Sequence, residues 1–517
     1  LPLTAKGQWQ TGNQAATNLP LKLPRDHASM KLQYLLFVRV GVMLLASWAS
    51  PLSAKAQHQH ETPKPTPTPQ SEHAHHTPPA SMFDTLTGGP FRSMFALGSG
   101  TGLQPASSPM FAWHWMPGEW MVMAHASVRA GFNHQGGPRG VGKAESQNWL
   151  MVMAEREAGP GRLMLRGMVT AEPLTAPHAG FPELFQTGET YRNRPLIDAQ
   201  HPHDLFMELA ASYTVPLAEK VSLQLYGGPV AEPALGPVAF MHRLSAIENP
   251  AAPLSHHWQD STHITHGVIT AALTAGKFKL ESSLFHGREP DEDRVGLDMG
   301  ALDSHSFRLW YTPAPNWAAQ VSWGRLKNPE TVHPGDLKRM TASLAYNKPL
   351  ARGNWASTAV WGRNNEYDPF FNERSISNAY LFESTLNFAD RNHLYTRLEL
   401  LDKQGLLVQN IFGRPGLATD PQRFAELPFK QSIRPVRPAA LLHPDPNQID
   451  PFLYNLWRRV GAFTFGGVRE VAVNRYFRLG LGADVTFYHK TGLVTAIYGE
   501  RPVSYHVFLR FRPNWLR

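Results

Sequence analysis

Residues Tyr476 to Tyr488 alternate apolar and polar side chains almost without error, so that Phe477, Leu479, Leu481, Ala483, Val485 and Phe487 share one face of an extended chain. Tyr476, Arg478, Gly480, Gly482, Asp484, Thr486 and Tyr488 share the other. Successive side chains of a strand point to opposite sides, so this segment has one oily and one wet face. The pattern recurs along most of the chain with no helical period between its repeats. Many such strands suit a closed barrel that meets lipid outside and water inside.

Hydropathy alone does not reveal this. The 517 residues are 42% hydrophobic and 17% charged, with a mean hydropathy of -0.32. No run approaches the ~20 apolar residues of a spanning helix, as expected for strands that alternate. Cysteine is absent, which excludes a small disulfide-stapled scaffold. The net charge of +8 is spread over the chain rather than gathered in one block. That is no nucleic-acid footprint; a mildly cationic lumen favouring anions is the better reading.

Residues 1–29 carry no pattern and read as a spurious upstream extension. From Met30, basic Lys31 and Arg39 precede an apolar run that closes on Ala54-Lys55-Ala56, so 30–56 reads as a secretory signal peptide. The Pro-, Thr- and His-rich stretch 57–81 reads as a disordered tether. A Gly- and Met-rich lead-in, 82–119, is too short for a separate domain and can lie inside a lumen. The strand array, 120–513, divides into about sixteen segments: 120–134, 146–158, 162–173, 205–217, 221–231, 267–275, 278–288, 303–313, 318–328, 337–348, 354–366, 376–389, 393–406, 454–469, 475–490 and 502–513. Tight links, such as 158–161, 217–220, 274–277, 348–353 and 390–392, alternate with long ones, such as 174–204, 232–266 and 407–453. Periplasmic turns and external loops sort in this way. The predicted fold class is therefore all-β, a closed antiparallel transmembrane barrel with long external loops. Trp149, Trp310, Trp355, Trp361 and Tyr488 are candidates for interfacial girdles.

The last strand places Val503, Tyr505, Val507, Leu509 and Phe511 on one face, and Ser504, His506, Arg510 and Arg512 on the other. It resembles the terminal strand by which bacterial outer-membrane barrels are inserted, though it runs on to Arg517. Three runs, GSGTGLQPASSPM, FQTGETYRNRPLIDAQHPHDLFMELA and GPVAFMHRLSAIENPAAPLSHHWQDSTHITHG, resemble a widespread bacterial family of porin-like outer-membrane barrels whose function is uncharacterised. The likeness covers most of the chain after about Met94. It implies the outer membrane of a Gram-negative bacterium, with lipid and the barrel-assembly machinery as partners and a homotrimer as one assembly. No activity follows from it.

The densest polar constellation lies on two long loops. One carries Asp198, His201, His203 and Asp204, with Glu208 entering the next strand; the other carries His242, Glu248, His256, His257, Asp260, His263 and His266. Two readings stand. These side chains satisfy one another and form a pore constriction, for which His201, His203, Asp204, Glu208, His242 and Asp260 are the candidates. Alternatively His201, His203, His256, His257, His263 and His266 ligate a divalent metal, since imidazole with carboxylate is the usual set for zinc.

Strand parity also sends Met121, Met123, Met151, Met153, Met164 and Met168 inward on three neighbouring strands, alongside His125, Glu155 and Arg166. Thioether sulfur suits copper(I), and a His-rich leader before a barrel resembles copper-resistance outer-membrane proteins, although 57–81 contains no Met. Packing against the lead-in is the plainer reading. Ser255, His256, His257 and Asp260 lie close in sequence and are residue types that a hydrolase uses, but no Gly-x-Ser-x-Gly elbow surrounds them. Asn364 to Asp368 and Asp291 to Asp293 read as solvated loops. The expectation is a passive channel for small hydrophilic solutes with no catalytic residues and no required cofactor; the alternatives are copper or zinc handling and a loop-based hydrolase.

Overall fold

The computed structural model describes residues 97–176, 179–192, 194–331, 335–368, 373–416, 456–490 and 492–514. The expected upstream extension, signal peptide and tether lie outside the described residues, as do 82–96 of the lead-in and 417–453 of the last long link.

In chain order the strands are β1 (Trp113–Trp115), β2 (Met121–His134), β3 (Gly142–Ala158), β4 (Gly161–Val169), β5 (Phe181–Tyr191), β6 (Arg194–Gln200), β7 (Phe206–Ala218), β8 (Val221–Ala231), β9 (Thr265–Ala275) and β10 (Phe278–Phe285). They continue as β11 (Ser304–Tyr311), β12 (Trp317–Leu326), β13 (Leu337–Leu350), β14 (Gly353–Asp368), β15 (Glu373–Phe388), β16 (Asn392–Lys403), β17 (Arg458–Val473), β18 (Phe477–His489) and β19 (Val503–Pro513). Three short helices, α1 (Glu172–Thr175), α2 (His256–Gln259) and α3 (Leu493–Tyr498), sit in the long links.

Sixteen of the strands, β2–β4 and β7–β19, pair antiparallel with their sequence neighbours, except that β4 pairs β7 across the β5–β6 hairpin. The ring closes where β19 pairs β2, Leu509 opposite Ala130. All sixteen predicted segments correspond to one strand each. β1 covers Val122–Ala124 of β2, beyond the last paired residue of β19.

Side-chain burial follows the pleat. On β18, Leu481, Ala483 and Phe487 are exposed while Gly480, Gly482, Asp484 and Thr486 are buried. On β19, Tyr505, Val507 and Leu509 face out, and Ser504, His506, Arg510 and Arg512 are buried. A protein that exposes leucine, valine and phenylalanine all round and buries arginine and glutamate within is built for lipid outside. The chain is thus a transmembrane barrel of the outer-membrane type.

The girdle expectation needs correction. Trp149 and Trp310 are 7% and 1% exposed and belong to the interior cluster, because each shares strand parity with lumen residues. Tyr488 also points inward, its hydroxyl donating to Ser504 Oγ at 2.9 Å. Of the candidates, Trp355 does lie on the outer face at the short-turn end, 5.7 Å from Tyr346, which also meets Trp317 (4.5 Å), and Phe278 stacked on Tyr311 (4.7 Å) joins them there. Asn364 is likewise no solvated loop residue: it is buried and donates to the His257 carbonyl at 3.1 Å.

Candidate functional site

Residues 232–264 leave β8 at the long-loop end and fold into the lumen. A buried loop must have its backbone groups paired, and here the inward-facing wall residues do the pairing. Ser322 accepts from the Gly236 amide at 2.9 Å and Arg308 donates to its carbonyl at 3.0 Å. Thr385 donates to Ser245 O (2.7 Å), Arg397 to Ala251 O (2.8 Å), and Trp258 of the loop to Ser377 Oγ (2.7 Å). Gly236 has φ +91°, and a Cβ there would lie 2.2 Å from the Gln259 carbonyl, so only glycine allows the loop to double back on itself.

Charge fixes the same loop. Arg243 bridges Asp260 (2.6 Å) and Glu383 (2.9 Å), and Glu248 takes Arg512 at 3.0 Å and also pairs with Arg510. The lead-in joins in from Leu97. Arg166 donates to the carbonyls of Gly98 and Gly100, Lys279 to Thr101 O at 2.9 Å, and Ala239 of the loop to Ser99 Oγ at 2.8 Å. Together these two segments form a plug. Beside it remain cavities of ≈ 40 Å³ lined by Arg129, Glu172, His203 and His506, and of ≈ 40 Å³ lined by Met110, His125, His242 and Arg512. Each has room for about three waters.

Five of the predicted histidines meet in a closed circuit. Ring centroids run His201–His203 6.3 Å, His203–His263 5.3 Å, His263–His256 5.1 Å, His256–His257 5.5 Å and His257–His201 6.4 Å, with Phe240 packed edge-on to His256 and His263. All five are buried. The order is set from outside the circuit: His201 Nε2 pairs with Glu189 Oε1, His203 Nδ1 with Glu172 Oε2 and His256 Nδ1 with Asp260 Oδ1, each at 2.7 Å, while His263 Nδ1 meets the Asp260 carbonyl at 2.8 Å. The Nε2 atoms of His203 and His263 have no partner.

Burial, reinforced by neighbouring imidazoles, pushes His257 and His263 well below the ordinary histidine range; burial also lowers His256, against the pull of Asp260. At His203 burial is outweighed by the Glu172 carboxylate, and the imidazolium is favoured. Burial lifts Asp204 to about 6 although Arg294 opposes it.

The remaining predicted residues lie elsewhere. Asp198 belongs to a separate knot, accepting from Arg139 at 2.6 Å and from Tyr498 at 2.7 Å. His242 lies against Trp149 (5.0 Å) and His125 (5.5 Å). Glu208 pairs with Arg166 at 3.2 Å and Asp204 with Arg294 at 3.1 Å. His266 stands outside the circuit, its Nδ1 accepting the Asp298 amide at 2.9 Å. Met123, Met151, Met153, Met164 and Met168 are buried in one cluster with Leu97, Leu103, Val238 and Met241, and the half-buried Met121 packs against it. Ser255 donates to Glu399 Oε1 at 2.8 Å, and His256 Nδ1 is committed to Asp260, so these two do not form a nucleophile–base pair through those atoms. Sequence reasoning missed Glu172, Glu189, Arg243, Arg294, Glu289 and Glu330. Of these only Arg243, next to His242, had a signal, since strand parity gave the lumen its acidic partners.

Among the described residues two groups bring three ligand atoms within reach of one ion: Asp204, His266 and Asp298, and His257, Glu289 and Glu330. In the first, an amide already occupies His266 Nδ1, which leaves its proton on Nε2, 3.8 Å from Asp204 Oδ2.

Fold and site together define a sixteen-strand outer-membrane barrel with a histidine-bearing plug. No family model matches the chain, and no curated protein matches it. Solved structures similar to it include an anion-selective porin from Comamonas acidovorans, 10% identical over 76% of this chain and 99% of that one, with a TM-score of 0.39. OmpT of Vibrio cholerae is 8% identical over 77% and 100%, with a TM-score of 0.41. OprB of Pseudomonas putida is 8% identical over 77% and 94%, with a TM-score of 0.43. These similarities add nothing about solute or mechanism; the strand pairing itself establishes the barrel.

Proposed function

We propose that the protein is an outer-membrane channel for small hydrophilic solutes, described here with its plug in place. The observation that carries this reading is the attachment of residues 232–264 to the wall through side-chain contacts alone between the two strands they join. Such contacts can be exchanged for water without disturbing the strand ladder, so the plug can leave while the barrel stays closed on itself. Selection would come from pore width and lining charge, with no bond made or broken. Arg339, Arg510 and Arg512 all lose loop partners when the plug leaves, which favours anions in the open lumen.

Ala231 and Thr265 are paired neighbours in the ladder, so a turn of about four Gly and Ser residues can replace the whole loop. In planar bilayers the intact protein is expected to pass little current and the loop-replaced barrel a steady, anion-preferring one. A loop-replaced barrel that inserts and passes no current would refute the channel. Metal handling is a second reading, favoured by the unpartnered Nε2 atoms of His203 and His263.

A further inference from the structure

His257 belongs to α2 on the plug, and its carbonyl is held by Arg339 Nη2 at 2.5 Å and Asn364 at 3.1 Å. With the backbone pinned, the ring projects towards two external loops, 286–303 and 327–336. The Glu289 amide donates to Pro329 O at 2.9 Å, which draws those loops together and sets Glu289 beside Glu330. His257 Nδ1 then lies 3.7 Å from Glu289 Oε1 and 3.8 Å from Glu330 Oε1.

Neither distance is a hydrogen bond. His257 is 4% exposed and its Nδ1 has no partner, nor has Glu289 Oε2. The nearest arginines do not fill the gap. Arg339 spends its donors on His257 O, Ser261 and Asn364, and Arg294 donates to Glu189 and Asp204. A buried imidazole nitrogen and two adjacent carboxylates therefore surround a point that no protein cation occupies. Ligands about 2.1 Å from a tetrahedral ion stand roughly 3.4 Å apart, so the two imidazole–carboxylate separations need shifts of a few tenths of an ångström to close on an ion, and all three ligand atoms lie within 4.8 Å of one another.

We propose that His257 Nδ1, Glu289 Oε1 and Glu330 Oε1 bind one divalent transition metal of the zinc class, latching the plug to two external loops. One nitrogen and two carboxylate oxygens suit zinc, cobalt(II) or manganese(II) better than copper(I), which prefers sulfur. Access is built in. A cavity of ≈ 280 Å³ opens beside the site, its lining of Glu189, Glu289, Asp291, Glu292 and Asp293 outweighing Arg288 and Arg294, and such a net acidic mouth favours cations. The latching role rests on the channel reading; the binding site does not.

The test uses the full chain, stripped with chelator and titrated in detergent with zinc by calorimetry and with cobalt(II) by visible absorption. Wild type is expected to bind one equivalent that Glu289→Gln/Glu330→Gln loses, with affinity at that site falling at least roughly 100-fold, more than the loss of an outer-shell partner causes. Retention of the barrel's heat-dependent gel shift checks folding, and Glu330→Gln alone serves if the double variant fails it. Equal stoichiometry and affinity in wild type and variant, as other histidines would give, overturns the site. So does a wild type that binds neither metal. Conductance is measured separately on the loop-replaced barrel: zinc binding by the full chain, beside a loop-replaced barrel that inserts and passes no current, would sink the channel and leave the metal site standing.

Discussion

The wall formed by β2, β3, β4 and β7 offers the plug Met123, Met151, Met153, Met164, Met168 and Met207, whereas the wall from β10 to β16 offers it Arg308, Arg339, Glu383, Arg397 and Glu399. Both walls are buried and both face the same loop. Methionine contacts are adaptable and have no preferred direction. Charge-assisted hydrogen bonds are directional, and each leaves a desolvated charge behind if its partner moves. The charge-assisted bonds of the polar wall, with Arg129 and Arg166 on the other side donating to Ile247 O and to Gly98 O and Gly100 O, therefore decide where the plug sits, and the methionines fill the space that remains.

Breaking the polar side should have the largest effect. Arg243→Ala removes the cation shared by Glu383 and Asp260, leaving Glu383 with Arg397 at 2.8 Å and Asp260 with His256 at 2.7 Å, which costs about 3 kcal/mol of plug attachment, the low end for a broken buried pair. The expected outcome is cleavage within 232–264 by added protease and a current absent from wild type, with the barrel's gel shift unchanged. Arg243→Lys should rescue only in part, because an ammonium lacks the fork that reaches both acids. An Arg243→Ala protein as protease-resistant and silent as wild type would mean that the polar wall does not position the plug.

Acid should act next. His256, His257 and His263 have lowered values in the plugged state, so a released plug binds more protons than a seated one below the unperturbed value of about 6.5. Their contribution is fully present above that value and is lost as pH falls through the window beneath it. Each costs up to about 1.4 kcal/mol per pH unit there. His203 and Asp204 have raised values and oppose this, gaining as pH falls. His242, on the same loop and also lowered, adds to the loss, and Glu232, raised to about 8 by burial, offsets part of it, so a net loss of attachment is expected near pH 5.5. Current that rises on acidification, and rises less in His263→Gln, is the measurement; current that falls with acid would reverse the assignment of neutral imidazoles.

The contrast also separates what the sequence displayed from what it hid. Every barrel strand was legible because its two faces meet different media, and period 2 records that difference directly. The β5–β6 hairpin was not. Its side chains are buried on both faces, and Phe185, Glu189 and Asp198 take positive φ, so neither alternation nor a simple register survives. The histidine circuit was visible as spacing, but the carboxylate partners of His203 and His201, Glu172 and Glu189, lie well away in sequence within the same connection between β4 and β7, and only folding brings them within 2.7 Å. Trp149 and Trp310 share strand parity with Met151 and Arg308, so position rather than residue type puts them in the lumen.

The smallest effect should come from the methionine wall, and it discriminates between packing and ligation. Met151, Met153 and Met164 are buried against the plug and its wall, and Met151 Sδ already lies 3.0 Å from His125 Nε2 in direct contact. Leucine conserves volume and apolarity, so each Met→Leu change should cost less than about 1.5 kcal/mol. The triple variant should stay plugged, protease-resistant and silent in bilayers. A thioether ligand set gives the opposite result, because leucine has no sulfur: copper(I) uptake present in wild type would vanish in the triple variant while its stability hardly changed. Uptake equal in both proteins leaves the methionines as filling, and the comparison of the two walls holds.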